Sequence, residues 1–486
     1  MTRLAVVLVL GLVAGPGGTD HFTAESAEST ENGYGEGTDG NGAGDFDGNG
    51  IGRYGFNGHG FRGYGFNGSD FHGNGSGVAA AGGVLRRSSI AQSPDSLVQA
   101  ERGVHLRVWL LSVGQGDAIW ERFGHNAIRV LDETTGVDAA WNYGVFDFAE
   151  PGYIARLVRG EMMYWLELFD SEALIDYYIR SNRSVWLQEL NLTPAQKADL
   201  NDFLMWNGRD ENRFYPYDYY RDNCSTRVRD ALDRALGGQL AAALHARTGR
   251  STYREHTQRL LADRLPEGTV TLLAMGPRAD RPLDAWEEAF LPVQLMEQIR
   301  SIEITGPDGA AQPLVLEERQ VFQAERPAER AAAPQRLGWY SVTGLGIAML
   351  MLGLGMKART GRIARFAFLS VAFVWALLTG VFGTMITVLW AFTEHTFTFN
   401  NENVLQASLL SLALAVMIPF GLRLRSKAAR LAAVIAALSV LGFVLQILPG
   451  LDQSNGEIIG LALPVHITLA LGLTRLVGNP SPSKDS

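Results

Sequence analysis

The chain has 486 residues, with 42 Lys and Arg against 51 Asp and Glu, and a formal net charge of −9. This mild acidity argues against nucleic acid as a main partner. The single cysteine, Cys224, excludes an intramolecular disulfide and a cysteine-rich zinc site. We expect neither a bound metal nor a cofactor.

The N-terminal region has the pattern of an export signal followed by a tether. Arg3 precedes an apolar run of signal-peptide length from Leu4 to Ala14, so residues 1–18 are predicted to be a signal peptide or an uncleaved anchor. Residues 19–100 are rich in glycine and repeat the sequence Tyr-Gly-Phe-Asn-Gly. Glycine at this density loses too much chain entropy on packing, which predicts a flexible, disordered tether.

Residues 104–300 have the pattern of a compact α+β domain. A helix should begin at Pro194 with Thr193 as its N-cap, and another should begin near Cys224. Residues 301–335 are charged and contain Ala and Pro, which predicts a short linker. The predicted strands of the domain are Leu106–Val113, Asn126–Leu131, Ala139–Phe146 and 185–192.

The C-terminal third contains five apolar segments, each near the length of a bilayer span. Two of the loops between them are basic and the other two carry no Lys or Arg, so the basic loops should be cytoplasmic. This orientation places the 104–300 domain outside the cytoplasm, above an all-α bundle of five transmembrane helices. The segments are 338–356, 366–391, 404–422, 429–450 and 457–477, and the basic loops carry Lys357, Arg359, Arg362 and Arg365, then Arg423, Arg425, Lys427 and Arg430.

Cys224 follows Asp222-Asn223 and precedes the predicted helix, so it should lie at a helix N-terminus. The unpaired N–H groups and the helix dipole at such a position favour a thiolate and lower the thiol pKa. The same N–H groups can bind the oxyanion of a tetrahedral intermediate. The alternative is a capped helix whose small apolar cysteine is merely buried.

His125 follows Gly124 at the start of a predicted strand, where it could take a proton from a thiol brought from elsewhere in the fold. The alternative is a structural histidine that bonds a loop carbonyl. A catalytic histidine needs an orienting acceptor, and an oxyanion needs donors. The candidates for these two roles are Asn142, Tyr143, Asp147 and Asn223, although Asp147 could equally be a turn residue.

Several motifs occur in an order that resembles the Lnb-type periplasmic domain, over about residues 104–300. Phe-Gly-His-x-Ala-x-Arg-Val at 123–130 precedes Asn-Tyr-Gly-x-Phe-Asp-Phe at 142–148 and Arg-Gly-x-x-x-Tyr at 159–164. Asn182-Arg183 also fits, and Tyr-x-Tyr-Asp-Tyr-Tyr-x-Asp-Asn-Cys-Ser-Thr-Arg at 215–227 closes the series. The five apolar segments, with His395 in an outer loop, resemble the membrane part of the same family.

This resemblance implies a bacterial lipoprotein N-acyltransferase of the inner membrane, multi-pass, with its catalytic domain on the periplasmic side. Its partners would be the bilayer, a phospholipid acyl donor and diacylated apolipoproteins. Cys224 would accept an acyl chain and pass it to the free amine of the lipoprotein. The order of histidine before cysteine is similar to permuted NlpC- and papain-like thiol folds. Candidates for lining a substrate or membrane entrance are Arg129, Tyr217, Tyr220, Arg227 and His395.

Two alternatives remain open on the residues alone. The same chemistry would serve a cell-wall cysteine peptidase or amidase, although a wall hydrolase needs only one anchor and not five spans. A non-enzymatic membrane scaffold with a buried Cys224 is the alternative from another class.

Overall fold

A computed structural model describes residues 101–423, 425–451 and 453–477. The expected signal at 1–18 and the expected tether at 19–100 lie outside the described residues. The described chain has a mixed α/β domain up to about residue 322 and a helical region from residue 337.

The domain is built on one seven-stranded antiparallel sheet, with the strand order β11-β5-β1-β2-β3-β4-β6. Two small two-stranded sheets, β7-β8 and β9-β10, lie beside it. The strands are β1 Leu106–Val113, β2 His125–Asp132, β3 Asp138–Val145, β4 Met163–Asp170, β5 Val185–Leu190, β6 Phe214–Pro216, β7 Thr248–Thr252, β8 Pro282–Asp284, β9 Glu303–Thr305, β10 Ala311–Pro313 and β11 Val315–Phe322.

Helices of the domain cover both faces of the large sheet, which buries β1 almost completely. Since strand residues alternate between faces, Leu110 and Ile128 pack toward the helices Pro194–Asn207 and Cys224–Ala235 on one face. Leu111 and Ala127 pack toward the helix Ser171–Arg180 on the other face. The helices are α1 Tyr153–Arg159, α2 Ser171–Arg180, α3 Pro194–Asn207, α4 Cys224–Ala235, α5 Gln239–His245, α6 Tyr253–Leu260, α7 Leu265–Ala274, α8 Ala285–Glu288 and α9 Pro292–Ile299.

The two predicted helix starts are present, and side-chain caps fix both. Thr193 and Gln196 form a reciprocal capping box at α3, with Pro194 at the first helical position. Asn223 caps α4, so Cys224 is the first residue of that helix. The capping chemistry that the sequence displays therefore sets where the cysteine lies.

The prediction of a linker over 301–335 is wrong for its first part. β11 pairs with β5 along its length and forms one edge of the seven-stranded sheet. Its Glu318 accepts from Gln188 Nε2 at 2.7 Å and from Arg300 Nε at 2.6 Å. Charged residues are common on edge strands because only one side is paired, and this polarity hid the strand.

The five predicted apolar segments correspond to five described helices that are long and apolar enough to cross a membrane. The third is irregular: the 3₁₀ turn Glu402–Leu405 leads to α12 Leu409–Met417 and to a second 3₁₀ segment, Ile418–Arg423. The regular members are α10 Leu337–Lys357, α11 Arg362–Phe392, α13 Arg425–Leu445 and α14 Gly456–Val477.

The outer loop after α11 is hydrogen-bonded to the α/β domain. Asn401 Nδ2 donates to the carbonyls of Leu273 and Ala274, at 2.8 and 2.9 Å, where α7 ends. The backbone N–H of Glu394 donates to the Arg159 carbonyl at the end of α1, at 2.7 Å. The domain therefore rests on the loop that joins the second and third apolar helices.

Candidate active site

Asn223 fixes the position of Cys224 by bonding in two directions. Its Oδ1 accepts from the backbone N–H groups of Ser225 and Thr226, each at 2.9 Å. Its Nδ2 donates to the carbonyls of Tyr219 and Phe290, each at 3.0 Å. Both amide hydrogens are therefore used within the protein, and the side chain places the helix start; a further role of Asn223 in orienting the histidine or binding an oxyanion stays a prediction.

The surroundings of the Cys224 sulfur are made of backbone groups. The backbone N–H groups of Asn126, Ser225 and Cys224 itself lower the pKa of the thiol, although that of Ser225 also donates to Asn223 Oδ1 at 2.9 Å. Gly144 of β3 faces the cysteine: its φ is +91°, and a Cβ added there would lie 3.2 Å from Cys224 Cβ. The glycine of the Asn-Tyr-Gly motif is thus required both by its left-handed backbone and by the close approach of α4.

His125 is the first residue of β2 and pairs with Val113 at the end of β1. Gly124 before it has φ +83°, and a Cβ there would lie 2.8 Å from the Val113 carbonyl oxygen. His125 Nε2 is hydrogen-bonded to Oδ1 of Asn142, a buried residue of β3. With a carbonyl oxygen as its partner, Nε2 carries the proton, and the lone pair of Nδ1 is free to accept one.

Burial controls the protonation of both groups at rest. It lowers the pKa of His125 to about 4, an effect that the hydrogen bond to Asn142 opposes and the charge of Arg183 reinforces. It raises the pKa of Cys224 to about 11, although the surrounding N–H groups and Arg183 act in the opposite direction. The expected lowering of the thiol pKa by the helix start is therefore wrong, because burial outweighs it. At neutral pH the pair is thiol and imidazole, not thiolate and imidazolium.

Arg183 is a component of the site to which the sequence analysis gave no role. Its Nε donates to the Gly114 carbonyl at 3.1 Å, and its guanidinium lies over the Tyr178 ring, 5.1 Å from the centroid. The Tyr178 ring is in turn 6.1 Å from that of His125. The Nη2 of Arg183 is buried without a hydrogen-bond partner. An arginine directly before a buried apolar strand was the available signal, since such a charge must be held by specific partners.

Three other predicted site residues have structural contacts instead. Asp147 is exposed and accepts from the Ala149 N–H at 2.7 Å in a turn. Tyr143 points into the core toward α3, where its hydroxyl donates to Asn207 Oδ1 at 2.7 Å. Arg129 pairs with Asp138 and stacks over Trp109, roughly 13 Å along β2 from His125. These contacts give the three residues structural roles, and their predicted roles at the site stay predictions.

The remaining entrance candidates separate into two groups. Arg227 pairs with Asp222 at 2.6 Å and lies over the Tyr215 ring, which clamps the segment before Cys224. Tyr220 is buried, with its ring 4.6 Å from that of Phe397 in the outer loop. The contacts of both residues are with other side chains of the protein, and their predicted place at an entrance stays a prediction.

Tyr217 and His395 do lie along the face that joins the site to the outer loop. The Tyr217 ring stacks on Tyr164, with centroids 4.1 Å apart, beside Cys224. His395 Nε2 donates to the Leu157 carbonyl at 3.0 Å, and its Nδ1 accepts from the Tyr219 hydroxyl at 2.5 Å. His395 thus links the outer loop to α1 and to the segment before Cys224, and burial lowers its pKa.

A polar cavity of about 590 Å³ lies behind this arrangement, between the β1 and β5 strand ends and residues 323–335. Cys224 and His125 are not among its lining residues.

Within the described parts of the chain, no group of three or more His, Cys, Asp and Glu side chains is placed to hold a metal ion.

The described chain thus combines a mixed α/β domain that carries Cys224 and His125 with five helices long and apolar enough to cross a membrane. Residues 101–259 match the family model described as the Lnb N-terminal periplasmic domain. The match confirms, for residues 101–259, the resemblance to the Lnb-type periplasmic domain that the motifs indicate. Neither the curated proteins nor the solved structures contain a match to the chain.

Proposed function

We propose that the chain is a thiol-dependent acyltransferase that N-acylates diacylglyceryl lipoproteins at the outer face of the bacterial inner membrane. The observation that carries this proposal is the placement of Cys224 at a helix start beside the backbone of Asn126, the residue that follows His125, which is itself hydrogen-bonded to Asn142. The domain that carries these residues is hydrogen-bonded to a membrane loop. The match to the Lnb domain favours a lipoprotein-processing role for the same region.

In the first half-reaction, Cys224 attacks the ester carbonyl of a phospholipid. As the sulfur–carbon bond forms, Nδ1 of His125 takes the thiol proton, and the ester carbon–oxygen bond breaks. His125 returns that proton to the departing alkoxide, which leaves as a lysophospholipid. The backbone N–H groups of Asn126 and Cys224, which favour the thiolate, would also donate to the oxyanion of the tetrahedral intermediate.

In the second half-reaction, the free α-amine of an S-diacylglyceryl cysteine attacks the thioester. The nitrogen–carbon bond forms and the sulfur–carbon bond breaks, while His125 moves a proton from nitrogen to sulfur. The products are an amide and the original thiol. Two acyl transfers of moderate difficulty thus replace one direct aminolysis of an ester.

The arrangement also supports a permuted papain-like thiol fold for the domain. In this chain, Cys224 begins a helix that packs on an antiparallel sheet, and His125 and Asn142 come from neighbouring strands of that sheet. The likeness lies in fold-level geometry and does not itself specify the reaction.

The test is to express the chain in bacteria that lack their own lipoprotein N-acyltransferase and to analyse lipoprotein N-termini by mass spectrometry. The wild-type chain should produce triacylated N-termini, and Cys224→Ala should leave only diacylated forms. Diacylated forms with the wild-type chain, accompanied by cleaved peptidoglycan stems, would favour a cell-wall peptidase instead. Since Cys224→Ala removes only one atom, equal abundance of both proteins in the membrane serves as the control.

A further inference from the structure

Six aromatic side chains, called here the aromatic band, form a continuous series of ring contacts across one side of the domain. Phe146 is central: its ring centroid lies 4.8 Å from that of Phe148, 5.9 Å from Tyr153 and 4.9 Å from Tyr164. Trp120 extends the series at one end, 5.2 Å from Phe148, and Tyr217 at the other, 4.1 Å from Tyr164. The band consists of Trp120, Phe148, Phe146, Tyr153, Tyr164 and Tyr217.

The inner end of the band reaches Cys224. Tyr217 and Cys224 pack against the same core, to which Tyr164 belongs. Gly144, two residues before Phe146, approaches the nucleophile closely, since a Cβ added there would lie 3.2 Å from Cys224 Cβ. Burial, and after it the negative charge of a Cys224 thiolate, raises the pKa of Tyr217, and the same charge adds to the effect of burial, Tyr217 and Tyr153 on the pKa of Tyr164. An acyl group on the sulfur would therefore meet aromatic ring faces directly beside it.

The outer end of the band is open to the surroundings. Trp120 and Phe148 are each 50% exposed, an unusual state for two large apolar rings in contact with each other. The adjacent helix α1, which contributes Tyr153, is bound at its C-terminal end to the outer membrane loop through Glu394 and His395. Trp120 follows Asp117, whose carbonyl accepts from Arg264 Nη2 at 3.0 Å, and Arg336, directly before α10, donates to the carbonyl of the nearby Ala262. The exposed pair therefore lies toward the start of the first apolar helix, and tryptophan is a favoured residue at the bilayer surface.

We propose that the aromatic band binds the acyl chain of the phospholipid donor and leads it from the bilayer surface to Cys224. This inference rests on the proposed function and adds a ligand site to it. The band presents aromatic rings along its length, with the Tyr153 and Tyr164 hydroxyls hydrogen-bonded to each other at 3.0 Å, it begins at an exposed pair and it ends beside the nucleophile. These three properties match a hydrocarbon chain whose carbonyl must reach the sulfur while its tail remains out of water.

The acyl-chain role makes a prediction that a simple membrane anchor does not. A long chain can contact the whole band, whereas a six-carbon chain ends close to the sulfur and cannot reach Trp120. Loss of the outer rings should therefore impair long-chain donors selectively. If the exposed pair only holds the domain at the bilayer, donors of both lengths presented in the same membrane should be affected equally.

The experiment uses the full chain in vesicles of phosphatidylethanolamine and phosphatidylglycerol, doped with donors carrying either hexadecanoyl or hexanoyl chains. The amount of acyl-Cys224 is read by mass spectrometry. Trp120→Ala and Phe148→Ala should each lower hexadecanoyl transfer about tenfold or more and leave hexanoyl transfer within about twofold. Trp120→Phe should restore most of the long-chain activity.

Trp206→Ala is the matched control, because Trp206 is 49% exposed and also contacts a phenylalanine, Phe203, but lies on α3 away from the band. It should behave as wild type with both donors. Equal losses for both chain lengths, or band variants no different from Trp206→Ala, would overturn the acyl-chain site alone. Absence of any acyl-Cys224 in the wild-type chain would instead contradict the proposed function.

Discussion

At Cys224 two local effects act in opposite directions on the thiol. The start of α4 presents N–H groups that favour the thiolate, while burial among tyrosine rings disfavours any charge. Burial prevails, and the same burial keeps His125 neutral. Under the proposed mechanism, this neutral acid and base would exchange a proton only when a carbonyl is in place, which would limit side reactions of a thiolate.

The pH dependence of Cys224 alkylation tests this balance. The alkylation rate with iodoacetamide follows the thiolate fraction. Because the pKa of Cys224 is raised to about 11, we expect the rate to stay low at neutral pH and to rise only well above pH 9. Arg183→Met should move the inflection higher still, since the charge of Arg183 favours the thiolate. An inflection below pH 8 would instead indicate a preformed ion pair with His125.

Gly144 offers a second test at the residue scale. Gly144→Ala introduces a left-handed alanine, at a cost of about 1–2 kcal/mol, and also a methyl group 3.2 Å from Cys224 Cβ. Gly136→Ala is a matched control, because its φ is +75° and the space around it is empty. We expect both variants to lose a similar amount of thermal stability from backbone strain, and only Gly144→Ala to lose acylation of Cys224. Comparable acylation in both variants would contradict the described contact.

Among the elements, the outer loop after α11 holds the domain against the membrane helices. Asn401 is almost fully buried and satisfies two carbonyls at the end of α7, and its Oδ1 accepts from the Asn403 N–H at 3.0 Å. Removing one member of such a buried set leaves polar groups without partners. The loop therefore contributes to the position of the domain as well as to its stability.

Asn401→Ala should destabilise this junction by about 1–3 kcal/mol, because it leaves buried carbonyl groups without a hydrogen-bond donor. We expect a lower unfolding temperature in detergent and faster protease cleavage between the domain and α10. Asn212→Ala is the control, because that side chain makes a single exposed bond, to the Trp206 carbonyl. Equal stability of the two variants would show that the junction does not depend on Asn401.

The elements also show what the sequence can and cannot predict. Strands β1, β2, β3 and β5 and the starts of α3 and α4 were predictable, because apolar runs and capping residues are local signals. The edge strand β11 was not, since its exposed charges resemble a linker. In the Asn-Tyr-Gly motif, neighbouring residues face opposite sides of the sheet. Only the strand register reveals that Asn142 faces His125 while Tyr143 faces the core.

For the whole molecule, geometry and charge agree on orientation. The domain contacts the loops after α11 and after α13, through Asn401 and Gln453, and neither loop carries Lys or Arg. The basic loops are those on the other side of the helices. The domain and the two acidic loops therefore share one side of the membrane.

This orientation can be tested because the chain has only one cysteine. On a Cys224→Ala background, Ser454→Cys marks a domain-side loop and Thr360→Cys marks a basic loop, and both positions are exposed. A membrane-impermeant maleimide added to cells with a permeabilised outer membrane should label Cys at 454 and not at 360. The reverse pattern would contradict the periplasmic placement of the domain.

The central claim is that Cys224 carries an acyl group between two lipid substrates. The most direct measurement is the mass of the Cys224 peptide after the full chain is incubated with phospholipid vesicles without an amine acceptor. We predict an added acyl mass that hydroxylamine removes, that a diacylated lipopeptide discharges as its N-acyl product, and that is absent in Cys224→Ala. An unmodified Cys224 in a chain that still N-acylates the lipopeptide would contradict the account.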